Sequence, residues 1–208
     1  MTLPVSVIVP HLASREWFFQ RFCLPSIQAN GPAEIIVETN EGGDPRYAAI
    51  SRNNGARKAT QPFLFFVDDD TILGQDCLKM MKEALDANLE AAYAYSGFYQ
   101  IALPSAIVPH DRIQIREAEP FSAERLWHHN YIHTTSLLRR ELFPQFDEQL
   151  KRFQDWDLWL SILRGTGRAG VQVDKILYFL FSVDAGISAG GDHDTLVKIV
   201  KEKHGLAM

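Results

Sequence analysis

The stretch FLFFVDDD, residues 63–70, joins five apolar residues to three consecutive aspartates. An unbroken apolar run is typical of a strand that is covered on both faces of a sheet. Because neighbouring like charges repel each other, three carboxylates at the end of a buried strand need a neutralising partner. The stretch therefore predicts a buried strand that delivers negative charge to one edge of a sheet.

Strand and helix signals alternate around this stretch through the first half of the chain. The predicted strands are residues 5–10, 34–39, 63–68 and 91–98, and the predicted helices are 15–30, 45–58 and 75–88. Pro25 should kink or split the first helix. The alternation favours an α/β fold with a doubly wound, mostly parallel sheet in an α/β/α sandwich. Ligands bind such sheets beyond the carboxyl ends of the strands, which places the aspartates in a site.

The alternation breaks down after Phe98. Residues 99–120 contain three prolines and predict a hairpin or an irregular segment. The later predicted elements are a short helix at 121–130, a strand at 132–140, a helix at 155–165 ended by Gly165, a strand at 176–183, and a C-terminal helix after the glycine-rich stretch 188–194. We expect one domain over residues 1–208, in which 99–208 extend the site carried by 1–98.

Composition excludes several classes of protein. The chain has 208 residues and a net charge of −5, which argues against a nucleic-acid partner. Cys23 and Cys77 are expected to be free thiols in a reducing compartment. No segment approaches the ~20 apolar residues of a transmembrane helix, and the first residues lack the basic start of a signal peptide. These features predict a cytoplasmic protein, for which peripheral membrane contact and a homodimer are both open.

Asp68 and Asp70 have the spacing D-x-D. In an extended or turning chain, side chains two residues apart can point to the same side. Two carboxylates on one side suit Mg²⁺ or Mn²⁺, which use few protein ligands when phosphates complete their coordination. The alternative is a pair of solvated aspartates near a turn.

Asp155 and Asp157 form a second carboxylate pair at the start of a predicted helix. Residues two apart on a helix are separated by about 200° around its axis, so these two do not share a face. Asp155 is placed to be a helix cap, because the first backbone amides of a helix favour a carboxylate. The functional alternative makes one of the pair a general base at the edge of a pocket.

The order and spacing of these motifs resemble family-2 glycosyltransferases of the GT-A fold. The resemblance rests on VSVIVP (5–10), EIIVETNEGGD (34–44), SRNNGARKATQPFLFFVDDD (51–70) and the long segment 135–167, which contains QDWD. It implies a nucleotide-diphosphate-sugar donor, with a UDP-sugar preferred, and Mn²⁺ or Mg²⁺. It also implies inversion at the sugar, and a saccharide or lipid-linked glycan as the acceptor.

The resemblance also assigns roles to residues of this chain. Asp155 would be the catalytic base, and Asp68 and Asp70 would bind the metal. His193 is a further candidate metal ligand. The residues expected to bind the donor are Pro10, Glu38, Thr39, Asn40, Arg52, Asp68 and Asp69. Among the three aspartates, we expect Asp69 to point away from the metal and its substitution to matter least.

The chain departs from the family pattern at several positions. Thr39-Asn40 replaces the usual pair of aspartates, and Gln154 replaces the glutamate of the family's ED motif. A module that binds a nucleotide sugar without turnover is therefore an open alternative. A sugar-phosphate nucleotidyltransferase is the other, although HLASREW (11–17) lacks the glycine-rich loop that such enzymes place after the first strand.

Overall fold

Eight strands form one sheet in the computed structural model, which describes residues 2–41, 44, 46–102, 112–182 and 193–206. The strands are β1 (Leu3–Leu12), β2 (Pro32–Asn40), β3 (Phe63–Phe66), β4 (Thr71–Leu73), β5 (Tyr93–Ala102), β6 (Arg112–Arg116), β7 (Leu137–Arg139) and β8 (Gly170–Ser182). Their order is β2-β1-β3-β7-β5-β8-β4, and β6 pairs with the far end of β5.

The longest strands pair in parallel. β1 lies parallel to β2 and to β3, and β5 lies parallel to β8. The short strands β4, β6 and β7 add antiparallel pairs. The predicted α/β fold class is confirmed. Of the two alternatives predicted for residues 99–120, a hairpin or an irregular segment, the antiparallel β5–β6 pair matches the hairpin.

Helices cover both faces of the sheet. They are α1 (Glu16–Phe18), α2 (Leu24–Ala29), α3 (Tyr47–Lys58), α4 (Cys77–Ala87), α5 (Ala123–His128), α6 (Gln154–Thr166) and α7 (His193–Lys203). A π-helical turn, Phe19–Cys23, separates α1 from α2, and Pro25 stands in the first turn of α2. The first helical segment is therefore split where the proline predicted a break.

Alternating side chains of the central strands fill two cores. Phe63, Phe65 and Val67 pack on one face with α2 and α4, where the free thiols Cys23 and Cys77 are also buried. Leu64 and Phe66 pack on the other face with α3, α5, α6 and α7. This alternation is what a strand buried on both faces requires, and it accounts for the unbroken apolar run that precedes the aspartates.

The structure corrects some predicted boundaries. β2 is an edge strand whose residues are mostly half-exposed, not a buried strand. α3 begins at Tyr47, and the Asp44 carboxylate instead accepts the backbone N–H of Arg46 at 2.9 Å. α6 continues through Gly165 and ends before Gly167.

Two further features differ from the prediction or lie outside what the structure describes. β4 was not predicted, because three residues are too few for a periodic signal. Of the glycine-rich stretch 188–194, residues 188–192 lie outside the described part of the chain. None of the helices in the described segments combines the length and the apolar character that crossing a membrane would require.

Candidate active site

Asp68 lies just beyond the carboxyl end of β3 and is bound by an arginine. Arg52 reaches it from α3, with 2.5 Å between Nη2 of Arg52 and Oδ1 of Asp68. The other terminal nitrogen of Arg52 donates to Oε1 of Gln154 at 3.1 Å. Although burial alone would raise the pKa of Asp68, the charge of Arg52 holds that pKa below its ordinary value. Asp68 is therefore an ionised carboxylate with a fixed partner.

Asp69 is the most buried of the three carboxylates, with a side chain 1% exposed. Its Oδ2 accepts the backbone N–H of Leu12 at 2.8 Å and lies 3.0 Å from Nδ1 of His11. Its Oδ1 accepts from Nη1 of Arg15 at 2.9 Å. Asp69 thus links the turn after β3 to the end of β1 and to the turn that follows β1. These contacts argue against the expectation that its substitution matters least, because its loss would leave Nδ1 of His11 and the backbone N–H of Leu12 without this buried partner.

Asp70 keeps one carboxylate oxygen without a partner. Its Oδ2 accepts from Nη1 of Arg15 at 2.9 Å, whereas its Oδ1 is buried and has no hydrogen-bond partner among the described residues. Burial, and then the nearby charge of Asp68, raise the pKa of Asp70 to about 7. A hard divalent cation would satisfy the unpartnered oxygen, so the donor set of Asp68 and Asp70 fits Mg²⁺ or Mn²⁺.

The protein itself supplies few metal ligands at this place. Within the described residues, no three His, Cys, Asp or Glu side chains gather closely enough to hold a metal ion. His193 stands at the first position of α7, where its Nδ1 lies 3.2 Å from Asp194 and its ring meets the ring of Phe153 edge-on. A cation at Asp68 and Asp70 would thus take its remaining ligands from phosphate oxygens and water.

Two clefts meet beside these carboxylates. The small cleft, about 310 Å³, is lined by Arg52, Asp68 and Gln154 together with other residues. The large cleft, about 680 Å³, lies towards β6 and the segment that follows it. Among the described residues, four line both clefts, and they are Phe98, Asn130, His133 and Asp155.

Asp155 is the carboxylate of this shared wall. It lies in the first turn of α6, and its Oδ1 accepts from the backbone N–H of Trp156 at 2.9 Å and from Nδ2 of Asn130 at 3.0 Å. Asp157 points elsewhere, as the helical spacing predicts. It is 1% exposed and lies 2.8 Å from Nε2 of His204. Only Asp155 of this pair can reach a ligand in a cleft.

His133 presents a hydrogen-bond donor at the same wall. Its Nδ1 accepts the backbone N–H of Thr135 at 3.2 Å, so the proton of the neutral ring sits on Nε2. Burial lowers the pKa of His133, although the charges of Asp68 and Asp155 oppose that shift. The ring is therefore neutral at pH 7.

Of the expected donor-binding residues, four lie at the adjacent edge of the sheet. Pro10 pairs with Glu38, and His11 pairs with Thr39, at the carboxyl ends of β1 and β2. Glu38 accepts from Nζ of Lys58 at 2.6 Å. Pro10, Glu38, Thr39 and Asn40 are absent from the described lining of both clefts, whereas Arg52 and Asp68 line the small one.

Sequence reasoning did not identify His11, Arg15 and Asn130 as partners of the aspartates. His11 is the last residue but one of β1 and Arg15 follows that strand, which ends at the same sheet edge as β3, so their position along the chain was a usable signal. Asn130 and His133 lie in irregular backbone between α5 and β7, because the predicted helix at 121–130 ends at His128 and the predicted strand at 132–140 shortens to Leu137–Arg139.

Comparison with solved structures shows the fold. S. aureus TarS 1–349 in complex with UDP-GlcNAc matches with a TM-score of 0.64 and 15% identity, over 96% of this chain and 65% of TarS 1–349. The same fragment with UDP matches with a TM-score of 0.61 and 15% identity, over 98% of this chain and 68% of that one. A further structure of TarS 1–349 matches with a TM-score of 0.60 and 17% identity, over 87% of this chain and 60% of TarS 1–349. The chain thus spans 60–68% of TarS 1–349 in these matches.

Comparison of the sequence with protein families gives a second finding. A search of curated proteins found no match. The family model of glycosyl transferase family 2 matches residues 29–146, a region that contains β2, α3, β3 and all three aspartates. Since that region is more than half of the chain, this protein belongs to glycosyl transferase family 2.

Proposed function

We propose that this protein transfers a sugar from a nucleotide diphosphate to an acceptor hydroxyl and inverts the anomeric centre. The observation that carries the proposal is the position of Asp155, in the wall that the two clefts share. A general base for such a transfer must lie between the donor and the acceptor. Membership in glycosyl transferase family 2 supports the same reaction class.

The small cleft is the proposed donor site. Arg52, Lys151 and Arg152 line it, and their positive charges suit a diphosphate. A UDP-sugar is the proposed donor, because the TarS fold has been solved with UDP-GlcNAc and with UDP. Asp68 and Asp70 would hold Mn²⁺ or Mg²⁺, which would supply positive charge to the leaving diphosphate.

Asp155 takes the proton in the proposed step. The acceptor oxygen forms a bond to the anomeric carbon while the bond from that carbon to the diphosphate oxygen breaks. The electron pair of the broken bond leaves with the nucleoside diphosphate, and the acceptor proton passes to Asp155. Asn130 orients the carboxylate through its hydrogen bond to Oδ1. A single in-line displacement of this kind inverts the centre.

Gln154 is compatible with activity. It is buried, donates to the carbonyl oxygen of Leu150 at 2.8 Å and accepts from Arg52. A glutamine can therefore make the acceptor contact to Arg52 that a glutamate would make. The glutamine at this position therefore gives no support to the alternative that the protein binds a nucleotide sugar without transferring the sugar.

The test measures donor binding and transfer separately. UDP-GlcNAc, UDP-glucose, UDP-galactose and GDP-mannose are added with and without Mn²⁺, and the melting temperature and the release of nucleoside diphosphate are followed. Asp155→Asn should keep donor affinity within about twofold and lose about 10²–10⁴-fold in transfer. Asp157→Asn, on the same helix but buried, should lower stability and keep the specific activity of the folded protein. The proposal fails if no nucleotide sugar shifts the melting temperature, or if Asp155→Asn transfers at the wild-type rate.

A further inference from the structure

The two clefts differ in which sign of charge predominates among their described lining residues. The described lining of the small cleft carries three cations, Arg52, Lys151 and Arg152, against the carboxylates Asp68 and Asp155. The described lining of the large cleft carries three carboxylates, Glu117, Glu119 and Asp155, against the single guanidinium of Arg116. Because the clefts share a wall, a ligand that spans both meets positive charge at one end and negative charge at the other.

The cation of the large cleft already has partners. Nη2 of Arg116 donates to Oε1 of Gln114 at 2.8 Å, and its Nε donates to Oε1 of Gln100 at 3.4 Å. These contacts hold the guanidinium against the β5–β6 hairpin. Arg116 is therefore not preorganised to bind a phosphate in the cleft.

The carboxylates of the large cleft are only partly neutralised. Glu119 forms an ion pair with Arg125, which also lies over the ring of Tyr131. Glu117 has no ion-pair partner among the described residues, and Asp155 accepts its hydrogen bonds from neutral N–H groups. Two uncompensated carboxylates would repel a bound anion, and the repulsion is stronger in a cleft than in open water.

The hydrogen-bonding capacity of the carboxylates also favours a neutral ligand over an anion. An ionised carboxylate accepts hydrogen bonds and cannot donate them, so its ligand must bring donors. Sugar hydroxyls supply donors, whereas phosphate oxygens at neutral pH do not. Phe98 and Ile115 line the same cleft and offer apolar surface to the C–H groups of a sugar ring. The volume of about 680 Å³ lies in the range of small-molecule sites.

We infer that the large cleft binds a neutral, hydroxyl-rich saccharide, and that phosphate-bearing or carboxylate-bearing acceptors are disfavoured there. The inference rests on the proposed function, because it takes this cleft as the acceptor side of the transfer. It narrows that function by assigning the chemical class of the group that receives the sugar.

The experiment is a glycan array probed with the full chain in the presence of UDP and MnCl₂. The array carries neutral oligosaccharides, sialylated ones and ones that bear mannose 6-phosphate. UDP binding is first measured by thermal shift on the same protein. We expect neutral glycans to bind and the anionic versions of the same glycans to bind at least about tenfold more weakly, as loss of one charge-assisted hydrogen bond implies.

Matched variants locate the effect. Glu117→Lys should weaken the neutral glycans about tenfold and improve the phosphorylated ones, because one lining charge is reversed. Glu124→Lys makes the same change on the exposed face of α5, outside the described lining of the cleft, and should leave the profile unchanged. If Glu117→Lys is poorly folded, Glu117→Gln, which removes the charge without reversing it, should weaken neutral binding and not affect UDP.

The outcomes separate the two proposals. If UDP and UDP-sugars do not bind, the proposed function fails. If UDP binds, but the array shows only anionic glycans or no glycan at all, the inference is overturned and the donor site stands. Equal effects of Glu117→Lys and Glu124→Lys would also overturn it.

Discussion

At the scale of single residues, three consecutive aspartates have three different tasks. Asp68 pairs with Arg52, Asp69 is buried against His11 and Arg15, and Asp70 keeps an unpartnered oxygen. The sequence predicted the charge and its location at the sheet edge. It set Asp69 apart from Asp68 and Asp70, but it did not predict the partner of each carboxylate, because that depends on which groups the end of β1 and the turn after it bring into contact.

Asp69→Ala should destabilise the fold strongly. Removing this buried carboxylate takes away the partner of Nδ1 of His11 and of the backbone N–H of Leu12, at a cost of about 3–5 kcal/mol, while Arg15 keeps its contact with Asp70. Urea unfolding measures the difference, and the exposed pair of Asp86 with Lys82 provides the control. Asp86→Ala should cost less than about 1 kcal/mol. Similar losses in the two variants would contradict the structural role given to Asp69.

Asp70 makes stability depend on pH. Its folded pKa of about 7 lies above the ordinary value of 3.8, so the folded state binds a proton more tightly than the unfolded chain. The stability that this proton contributes is present below about pH 4 and is lost as the pH rises towards about 7. The amide of Asp70→Asn does not ionise, so this variant lacks the pH-dependent contribution of Asp70.

Melting curves of the metal-free protein between pH 4.5 and 8 test this linkage. The melting temperature of Asp70→Asn minus that of the wild type should grow as the pH rises to about 7 and then level off. Glu83→Gln, on the exposed side of α4, provides a control for the loss of one exposed carboxylate. Parallel curves for Asp70→Asn and the wild type would show that Asp70 is not perturbed.

At the scale of elements, α6 shows what a sequence pattern can and cannot fix. Trp156, Trp159, Leu160 and Leu163 stand at i, i+3, i+4 and i+7, a spacing that predicts a helix, and the helix is there. The first three are buried and Leu163 is partly buried. The sequence predicted its end at Gly165, yet the helix stops at Gly167, whose φ is +70°. Periodicity locates a helix well, whereas the choice between two nearby glycines depends on the local path of the backbone.

The two glycines should respond oppositely to the same substitution. Gly165 lies inside α6 and has open space where the methyl group of an alanine would project, so Gly165→Ala should stabilise the protein by about 0.5–1 kcal/mol. Gly167 has a left-handed backbone, so Gly167→Ala should destabilise it by about 1 kcal/mol. Thermal unfolding of the pair measures both, and equal signs would refute the assigned helix end.

At the scale of the whole molecule, the two halves of the chain share one sheet. β7, from the second half, lies between β3 and β5, and β8 pairs along the full length of β5. The first half was predicted from its strand–helix alternation. The insertion of β7 was not, because no local signal states which distant strand a segment will join.

The shared sheet predicts a single unfolding event. Residues 1–98 expressed alone should not fold, because β3 would lose its pairing with β7. Leu64 would lose its partner Leu138, and Phe65 would lose its partner Leu137. NMR amide dispersion of the fragment and calorimetry of the full chain test this. Independent folding of 1–98, or two separate calorimetric transitions, would show two cooperative units instead of one.

The shared wall has a consequence for chemical probes. On the proposed assignment of the two clefts, a uridine diphosphate fragment and a neutral sugar fragment could be joined by a spacer across Asp155, because Phe98, Asn130, His133 and Asp155 border both clefts. Such a bisubstrate compound would bind its second fragment intramolecularly and gain about 10²–10⁴-fold over either fragment alone. A positively charged atom in the spacer would meet the carboxylate of Asp155 directly, which gives medicinal chemistry a defined point of attachment.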